Sequence, residues 1–255
     1  MLSLNKLAFS VPKRQLLQPM SLQFATGCVT GLIGHNGSGK STLLKLLAKQ
    51  LKPSSGEVLL NGVSLQQWQS KAFAREVAYL PQHLPAATGL TASELVQMGR
   101  FAWHGLMSRN NPDDERIIAQ ALQLTHTEAY AHQLIDTLSG GERHRVFLAM
   151  CVAQQSRYLL LDEPLAALDL AHQLEVIQLV RLLAHDLGIG VVIVIHDINL
   201  AAQYCDRLIA IKQGQLLYDE SPASLMTQAK LHDIYGVQLN LLPHPTQSQH
   251  TVALL

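Results

Sequence analysis

The sequence predicts an α/β fold: a mixed, largely parallel sheet with an antiparallel β subdomain at the N-terminus and a helical subdomain inserted between its halves. Three observations support this. Residues 29–33 form an apolar strand that runs into Gly34-His35-Asn36-Gly37-Ser38-Gly39-Lys40-Ser41, after which Leu43, Leu44, Leu46, Leu47 and Leu51 recur at helical spacing. Residues 158–161 and 191–195 are apolar throughout, as strands of a parallel sheet covered on both faces should be. Between residues 89 and 155 strand signals give way to helix-start signals.

The elements follow in order. Leu2, Leu4 and Phe9 give the N-terminal stretch strand character, Pro12-Lys13-Arg14 reads as a turn, and residues 20–24 as the returning strand. The strand at 29–33 and a helix over 41–50 flank the glycine loop. Residues 56–60 form a strand stopped by the Asn61-Gly62 turn signal, and 77–80 another that ends at Pro81-Gln82. Thr91-Ala92-Ser93-Glu94 is a capping box opening a helix to about Arg100. Asn111 is an N-cap, with Pro112 at the first helical position and Asp113 and Asp114 behind it, for a helix to about Leu124. A further helix follows Gly141. Then come the strand at 158–161, an amphipathic helix over 170–187 closed by Gly188, and the strand at 191–195. Residues 208–211 and 216–218 form a hairpin around Gln213-Gly214, and Ser221-Pro222 starts a last helix. One domain is expected over 1–255: a core from 1–88 and 156–236, the helical insertion at 89–155, and an irregular C-terminal tail at 237–255.

Composition narrows the function. The 255 residues are 48% hydrophobic with a net charge of +0, which is too apolar for disorder and offers no general basic surface for nucleic acid or anionic lipid. Cys28, Cys151 and Cys205 are far apart and form no CxxC pair, which fits small buried residues in a reducing compartment. The N-terminus lacks a secretory signal pattern, and the longest apolar run, 191–195, is far below the about 20 residues of a membrane span. A membrane role would come through a partner.

The glycine loop matches G-x-x-x-x-G-K-[ST] between strand and helix, so the core reads as a P-loop NTPase. Its backbone N–H groups and the helix N-terminus suit a polyphosphate. Lys40 would reach the β- and γ-phosphates, Ser41 would ligate Mg²⁺, and Thr42 follows in the same turn. Asp162 and Glu163 end the apolar strand Leu159-Leu160-Leu161. Asp162 is placed to hold Mg²⁺ through water, and Glu163 to polarise the attacking water; an ordinary solvated turn is the alternative. His196 follows the last buried strand, at the carboxyl end where such sheets bind ligands, and is a candidate γ-phosphate contact. Gln82 is a candidate amide ligand to Mg²⁺. Ser139-Gly140-Gly141 precedes a helix and is either an anion site or a simple N-cap; the residues alone leave both open.

The order of these motifs, with Leu138-Ser139-Gly140-Gly141-Glu142 and Leu168-Asp169, resembles an ATP-binding cassette (ABC) ATPase over essentially the whole chain. The resemblance implies a head-to-tail homodimer in which ATP lies between the glycine loop of one protomer and Ser139, Gly140 and Gly141 of the other. It also implies that Asp169 communicates across the interface and that the helical insertion receives a membrane permease, with Gln82 at the joint. A periplasmic or surface substrate-binding protein would take part indirectly. The chain would sit peripherally on the cytoplasmic side of the inner membrane.

Within the family it is similar to ATPases of the iron–siderophore and cobalamin importer group, nearest to the ferric hydroxamate type. The residues are Ser70-Lys71-Ala72-Phe73-Ala74-Arg75, 77–82, Gly99-Arg100-Phe101-Ala102-Trp103-His104-Gly105, His196-Asp197-Ile198-Asn199 and Leu242-Pro243-His244-Pro245. Haem and cobalamin import are the alternatives. A DNA-repair or translation ATPase would bring a coiled coil, a zinc insert or a second cassette, and none of these is visible. The complete set of Lys40, Asp162, Glu163 and His196 argues against a purely regulatory module. Three departures stand out. Val11 occupies the place of the family's adenine-stacking aromatic, which leaves Arg14 or an apolar contact. Pro164-Leu165-Ala166-Ala167-Leu168-Asp169 lacks the usual hydroxyls. Glu142 and His144 stand where many members have glutamines.

Overall fold

β1 (Leu2–Val11) and β2 (Arg14–Phe24) pair antiparallel because their inward positions are apolar: Leu2, Leu4, Leu7, Leu17, Leu22 and Phe24 are all buried. β3 (Cys28–Ile33) leads through the glycine loop into α1 (Lys40–Leu47). β4 (Ser55–Leu60) and β5 (Val63–Ser64) complete a first sheet of order β2-β1-β4-β5. α2 (Ser70–Glu76) runs directly into β6 (Val77–Leu80). The computed structural model describes residues 1–104, 112–166, 168–243 and 251–254. The expected N-cap Asn111, together with Gly105, Ala167, His244 and Pro245, lies outside them.

α3 (Ala92–Met98), α4 (Pro112–Leu124) and α5 (Gly140–Ala153) follow. They pack on one another through Leu95, Val96, Ala121 and Phe147, and their core is continuous with that under the large sheet. β7 (Tyr158–Leu161), α6 (Leu170–His185), β8 (Gly190–Val194), α7 (Ile198–Tyr204), β9 (Arg207–Lys212) and β10 (Gln215–Glu220) return the chain to that sheet. Its order is β10-β9-β3-β8-β7-β6, parallel except for the antiparallel edge strand β10. α8 (Pro222–Leu225), α9 (Gln228–Tyr235), β11 (Asn240–Pro243) and β12 (Thr251–Leu254) end the chain.

The central strands are apolar throughout because both faces are covered. Leu159, Leu161, Val191 and Ile193 face α5 and α6, whereas Leu160, Val192, Val194 and Ile211 face α1 and the N-terminal sheet. Tyr158 ties the two sheets together. Its buried hydroxyl donates to Phe24 O at 3.1 Å and accepts from Leu2 N at 3.0 Å. The β strands meet their loops at one end of the sheet, which brings the segments after β3, β6, β7 and β8 side by side.

Several expectations change. The tail is not irregular throughout, because β11 pairs antiparallel with β12. Those strands have only four residues each, too few for an alternating pattern to mark them. The last helix divides into α8 and α9. α2 and α7 are seven-residue helices, too short to show a clear period in the sequence.

Candidate active site

The glycine loop has one permitted geometry. Gly34 has φ +135°, and a Cβ there would lie 2.1 Å from Ile211 O. Gly39 caps α1 at φ +111°, with its Cβ position 2.6 Å from Leu17 Cδ2. The loop is pinned to the β9–β10 turn, where Gly214 N donates to Ser38 O at 2.8 Å. Lys40 is 4% exposed and donates to Gly34 O at 2.8 Å and His35 O at 2.9 Å. Burial lowers its pKa, against the opposing pull of Glu163 and Asp162. Ser38 Oγ is buried with no hydrogen-bond partner among the described residues. His35, Asn36 and Gly37 are exposed, and Thr42 is half-buried on the first turn of α1.

The acids arrive from β7. Asp162 is 1% exposed, donates its N–H to Leu80 O at 3.0 Å, and accepts from Ser41 Oγ at 2.8 Å. Burial is the main cause that raises its carboxyl pKa, and the Ser41 hydroxyl opposes it. Glu163 adopts φ +53°, a left-handed conformation uncommon outside glycine. Its Oε2 accepts from Gln82 Nε2 at 2.6 Å, and its Oε1 lies 2.7 Å from His196 Nε2. The loops after β6, β7 and β8 thus converge on one carboxylate.

Lys40, Ser41, Thr42, Gln82 and Glu163 border a polar cleft of about 390 Å³. Arg14 and Leu16 of β2 close one side of it, and Val11 does not line it. Leu16 carries no motif that would have marked it, and Tyr79 stands in the 77–82 stretch with no role read from it. Tyr79 precedes Leu80 on β6, and burial and the Asp162 charge raise its pKa and keep it neutral. A second cavity of about 500 Å³, between α4, α5 and the end of α6, holds none of the expected site residues.

Ser139, Gly140, Gly141 and Asp169 do not join the cleft. Ser139 caps α5 in a capping box: its Oγ accepts from Glu142 N at 3.3 Å, and Glu142 Oε2 accepts from Ser139 N at 2.9 Å. Those bonds hold the Glu142 carboxyl pKa below its ordinary value. Ser139 and Gly140 are exposed. Asp169 caps α6, accepting from His172 N at 3.0 Å, with His172 Nδ1 at 2.8 Å.

Among the described residues no three or more His, Cys, Asp and Glu side chains gather as a metal cage. Ser41 Oγ and Asp162 Oδ1 instead stand together at 2.8 Å, and Gln82 borders the same cleft as Ser41 with its amide nitrogen on Glu163. Such a sparse, hard set fits Mg²⁺, which keeps several waters and is held through one or two protein ligands plus substrate phosphates.

The model of the ABC transporter family matches residues 17–166. The chain belongs to the ABC transporter family. It is 42% identical to a petrobactin import ATP-binding protein of Bacillus anthracis, over 94% of this chain and 89% of that one. It is 38% identical to an iron(3+)-hydroxamate import ATP-binding protein of Bacillus subtilis, over 96% and 91%. A dimeric ABC transporter cassette bound to ADP and Pi superposes with a TM-score of 0.78 at 28% identity, over 87% of this chain and 99% of that one. The fold also matches a metal-chelate type ABC transporter in an inward-facing conformation, with a TM-score of 0.84 over 100% and 97%. The expected α/β ABC ATPase fold and ATPase identity are therefore borne out. Among the described residues of this ABC ATPase no helix is long and apolar enough to cross a membrane.

Proposed function

We propose that this ABC ATPase hydrolyses ATP to power import of a ferric siderophore through a membrane permease. The observation that carries the site is that Lys40, Ser41, Gln82 and Glu163 border one cleft, with Asp162 bonded to Ser41 and His196 against Glu163. The polyphosphate lies along the glycine loop, and Lys40 turns from the loop carbonyls to the β- and γ-phosphates. Arg14 and Leu16 take the adenine side in place of an aromatic at Val11. Ser41 and Gln82, with Asp162 through water, would hold Mg²⁺, which would neutralise phosphate charge. Gln82 gives up Glu163 Oε2 to the attacking water. Glu163 takes the water proton as the oxygen bonds the γ-phosphorus and the β–γ bridge breaks, releasing ADP and phosphate. His196 orients Glu163 and contacts the γ-phosphate.

The second half of each site comes from Ser139, Gly140 and Gly141 of another copy, in a head-to-tail homodimer with Asp169 at the interface. The exposure of Ser139 and Gly140, and the absence of all three residues from the Lys40 cleft, support this. The helical segment 89–155 docks on an integral permease at the cytoplasmic face of the inner membrane, and a substrate-binding protein delivers cargo on the other side.

The siderophore reading rests on the relatives named above. A haemin import ATP-binding protein of Bordetella avium, 36% identical, supports haem as the second reading. ATP hydrolysis by the purified chain, lost in Lys40→Ala, tests the enzyme. Purification from detergent-solubilised membranes should bring a multi-span permease, and its absence would reject the transport role. Unimpaired growth on ferric hydroxamate as sole iron source without this chain would reject the cargo.

A further inference from the structure

The C-terminal segment reaches the phosphate loop and the His196 segment together. α9 ends at Tyr235, with Gly236 at φ +72° stopping the helix. The Tyr235 ring stands edge-on to that of His35, with centroids 5.7 Å apart and planes at 76°, within the favourable range for such pairs. Its hydroxyl is buried without a hydrogen-bond partner among the described residues. Burial, and then the charge of Asp197, push that hydroxyl up to about 12. Asp197 follows His196 and caps α7, accepting from Asn199 N at 2.8 Å and Leu200 N at 3.1 Å.

The helix that carries Tyr235 is anchored. Tyr218 Oη donates to Asp233 Oδ2 at 2.7 Å, and Lys212 Nζ donates to Asp233 O. Beyond it, Asn199 grips the end of the chain as a strand would: its amide nitrogen donates to Ala253 O at 3.1 Å, and its oxygen accepts from Ala253 N at 2.8 Å. The chain from α9 onward is thus fastened to α7 through Ala253 and touches the phosphate loop through Tyr235.

We infer that Tyr235 is a positioning residue for nucleotide: its ring holds the His35 side of the phosphate loop against the end of α9. The inference rests on the ATP-site reading above and extends it. The reason is entropic. Gly34 and Gly39 are enclosed, but residues 35–37 are exposed and nothing lies within 4 Å of the Gly37 Cβ position, so this is the unpinned part of the loop, and a ring contact at His35 restrains it before ATP arrives. Without the ring, ATP binding must do that ordering, so affinity falls while the chemical step, set by Glu163 and His196, proceeds as before.

The test is a double-variant cycle on the full chain, reading KM, kcat and ATP binding for Tyr235→Ala, Tyr235→Phe, His35→Ala and Tyr235→Ala/His35→Ala. Tyr235→Ala should raise KM about three- to tenfold, the worth of one edge-to-face ring pair, with kcat little changed. Tyr235→Phe keeps the ring and should restore KM. The double variant should be no worse than Tyr235→Ala alone. An unchanged KM in Tyr235→Ala, a loss confined to kcat, or multiplicative effects in the double variant would overturn the inference. If Tyr235→Ala does not fold, Tyr235→Leu, which fills the space without a ring edge, takes its place in the cycle. Lys40→Ala, run in parallel, separates the two claims. Retained ATP binding there rejects the site itself, whereas lost binding beside a normal Tyr235→Ala rejects only the role of Tyr235.

Discussion

Glu163→Gln isolates the chemical step, because the substitution barely disturbs the resting contacts. Glu163 has one neighbour on each oxygen, Gln82 Nε2 at 2.6 Å and His196 Nε2 at 2.7 Å. Glutamine has the same shape and keeps one acceptor. Its amide nitrogen can face either a rotated Gln82 amide oxygen or an unprotonated His196 nitrogen. Both contacts therefore have a replacement, and the ground state loses no more than about 1 kcal/mol. What disappears is the capacity to take a proton from water. Losing a general base slows a reaction about 10²- to 10⁴-fold, or roughly 3–5 kcal/mol on the barrier. The assay is phosphate release at saturating Mg–ATP, alongside ATP binding and gel filtration of the ATP-loaded protein. The expected result is a kcat lowered by that factor, near-native ATP affinity, and accumulation of a closed dimer. A turnover above about a tenth of wild type would refute Glu163 as the base.

Gly34→Ala places a methyl 2.1 Å from Ile211 O at φ +135°, adding at least about 1–3 kcal/mol of backbone strain before the overlap. Its thermal midpoint should fall by several degrees and ATP binding should be lost; a native midpoint would contradict the geometry. Ser139→Arg should spare ATP binding, because Ser139 lies outside the Lys40 cleft, yet block dimer closure and hydrolysis. Full hydrolysis would exclude a role for this segment. His144 is buried, its Nε2 has no hydrogen-bond partner among the described residues, and burial lowers its pKa below 6.5. The unfolded chain therefore binds the proton more readily, and stability is lost as pH falls below the unfolded value. Denaturant melts from pH 7 to about pH 5 should fall more steeply for wild type than for His144→Gln, and parallel curves would refute this.

The sequence carries the parts of the site that are local. A strand, a glycine loop and a helix fix one another's geometry within a few residues, so Lys40 and Ser41 are placed before any tertiary contact is known. Asp162 and Glu163 are similarly fixed by the end of an apolar strand. What the motif does not contain is pairing between loops. That Gln82 and His196 take opposite oxygens of one carboxylate depends on the strand order β3-β8-β7-β6. The contact between His35 and Tyr235 joins residues 200 positions apart in the chain, and neither belongs to a pattern with the other. Leu16 reaches the cleft because β2 pairs with β1, and its apolar side chain announces nothing chemical. For Ser139-Gly140-Gly141 the two readings turn out not to compete. The capping box fulfils the local one and leaves the exposed small residues free for the other.

The cleft and the proposed second half-site at Ser139 differ in how much they cost the fold. Around the cleft, Lys40 and Asp162 are charged groups at 4% and 1% exposure, Ser38 Oγ has no partner, and Glu163 sits at φ +53°, worth roughly 1–2 kcal/mol on its own. Such departures are expected where function rather than folding selects the residue. A polyphosphate would offset the first three: it brings acceptors for the buried ammonium and the orphan hydroxyl, and its metal brings a cation for the buried carboxylate. The Ser139 end is the opposite case. Its hydroxyl and its N–H are both satisfied within a capping box, and nothing there is strained. On the proposed reading the cleft would gain stability when nucleotide binds, while the Ser139 end stands relaxed in its capping box. That asymmetry suits an order of events in which ATP first loads the Lys40 cleft, and the exposed α5 terminus of a second copy closes on it afterwards.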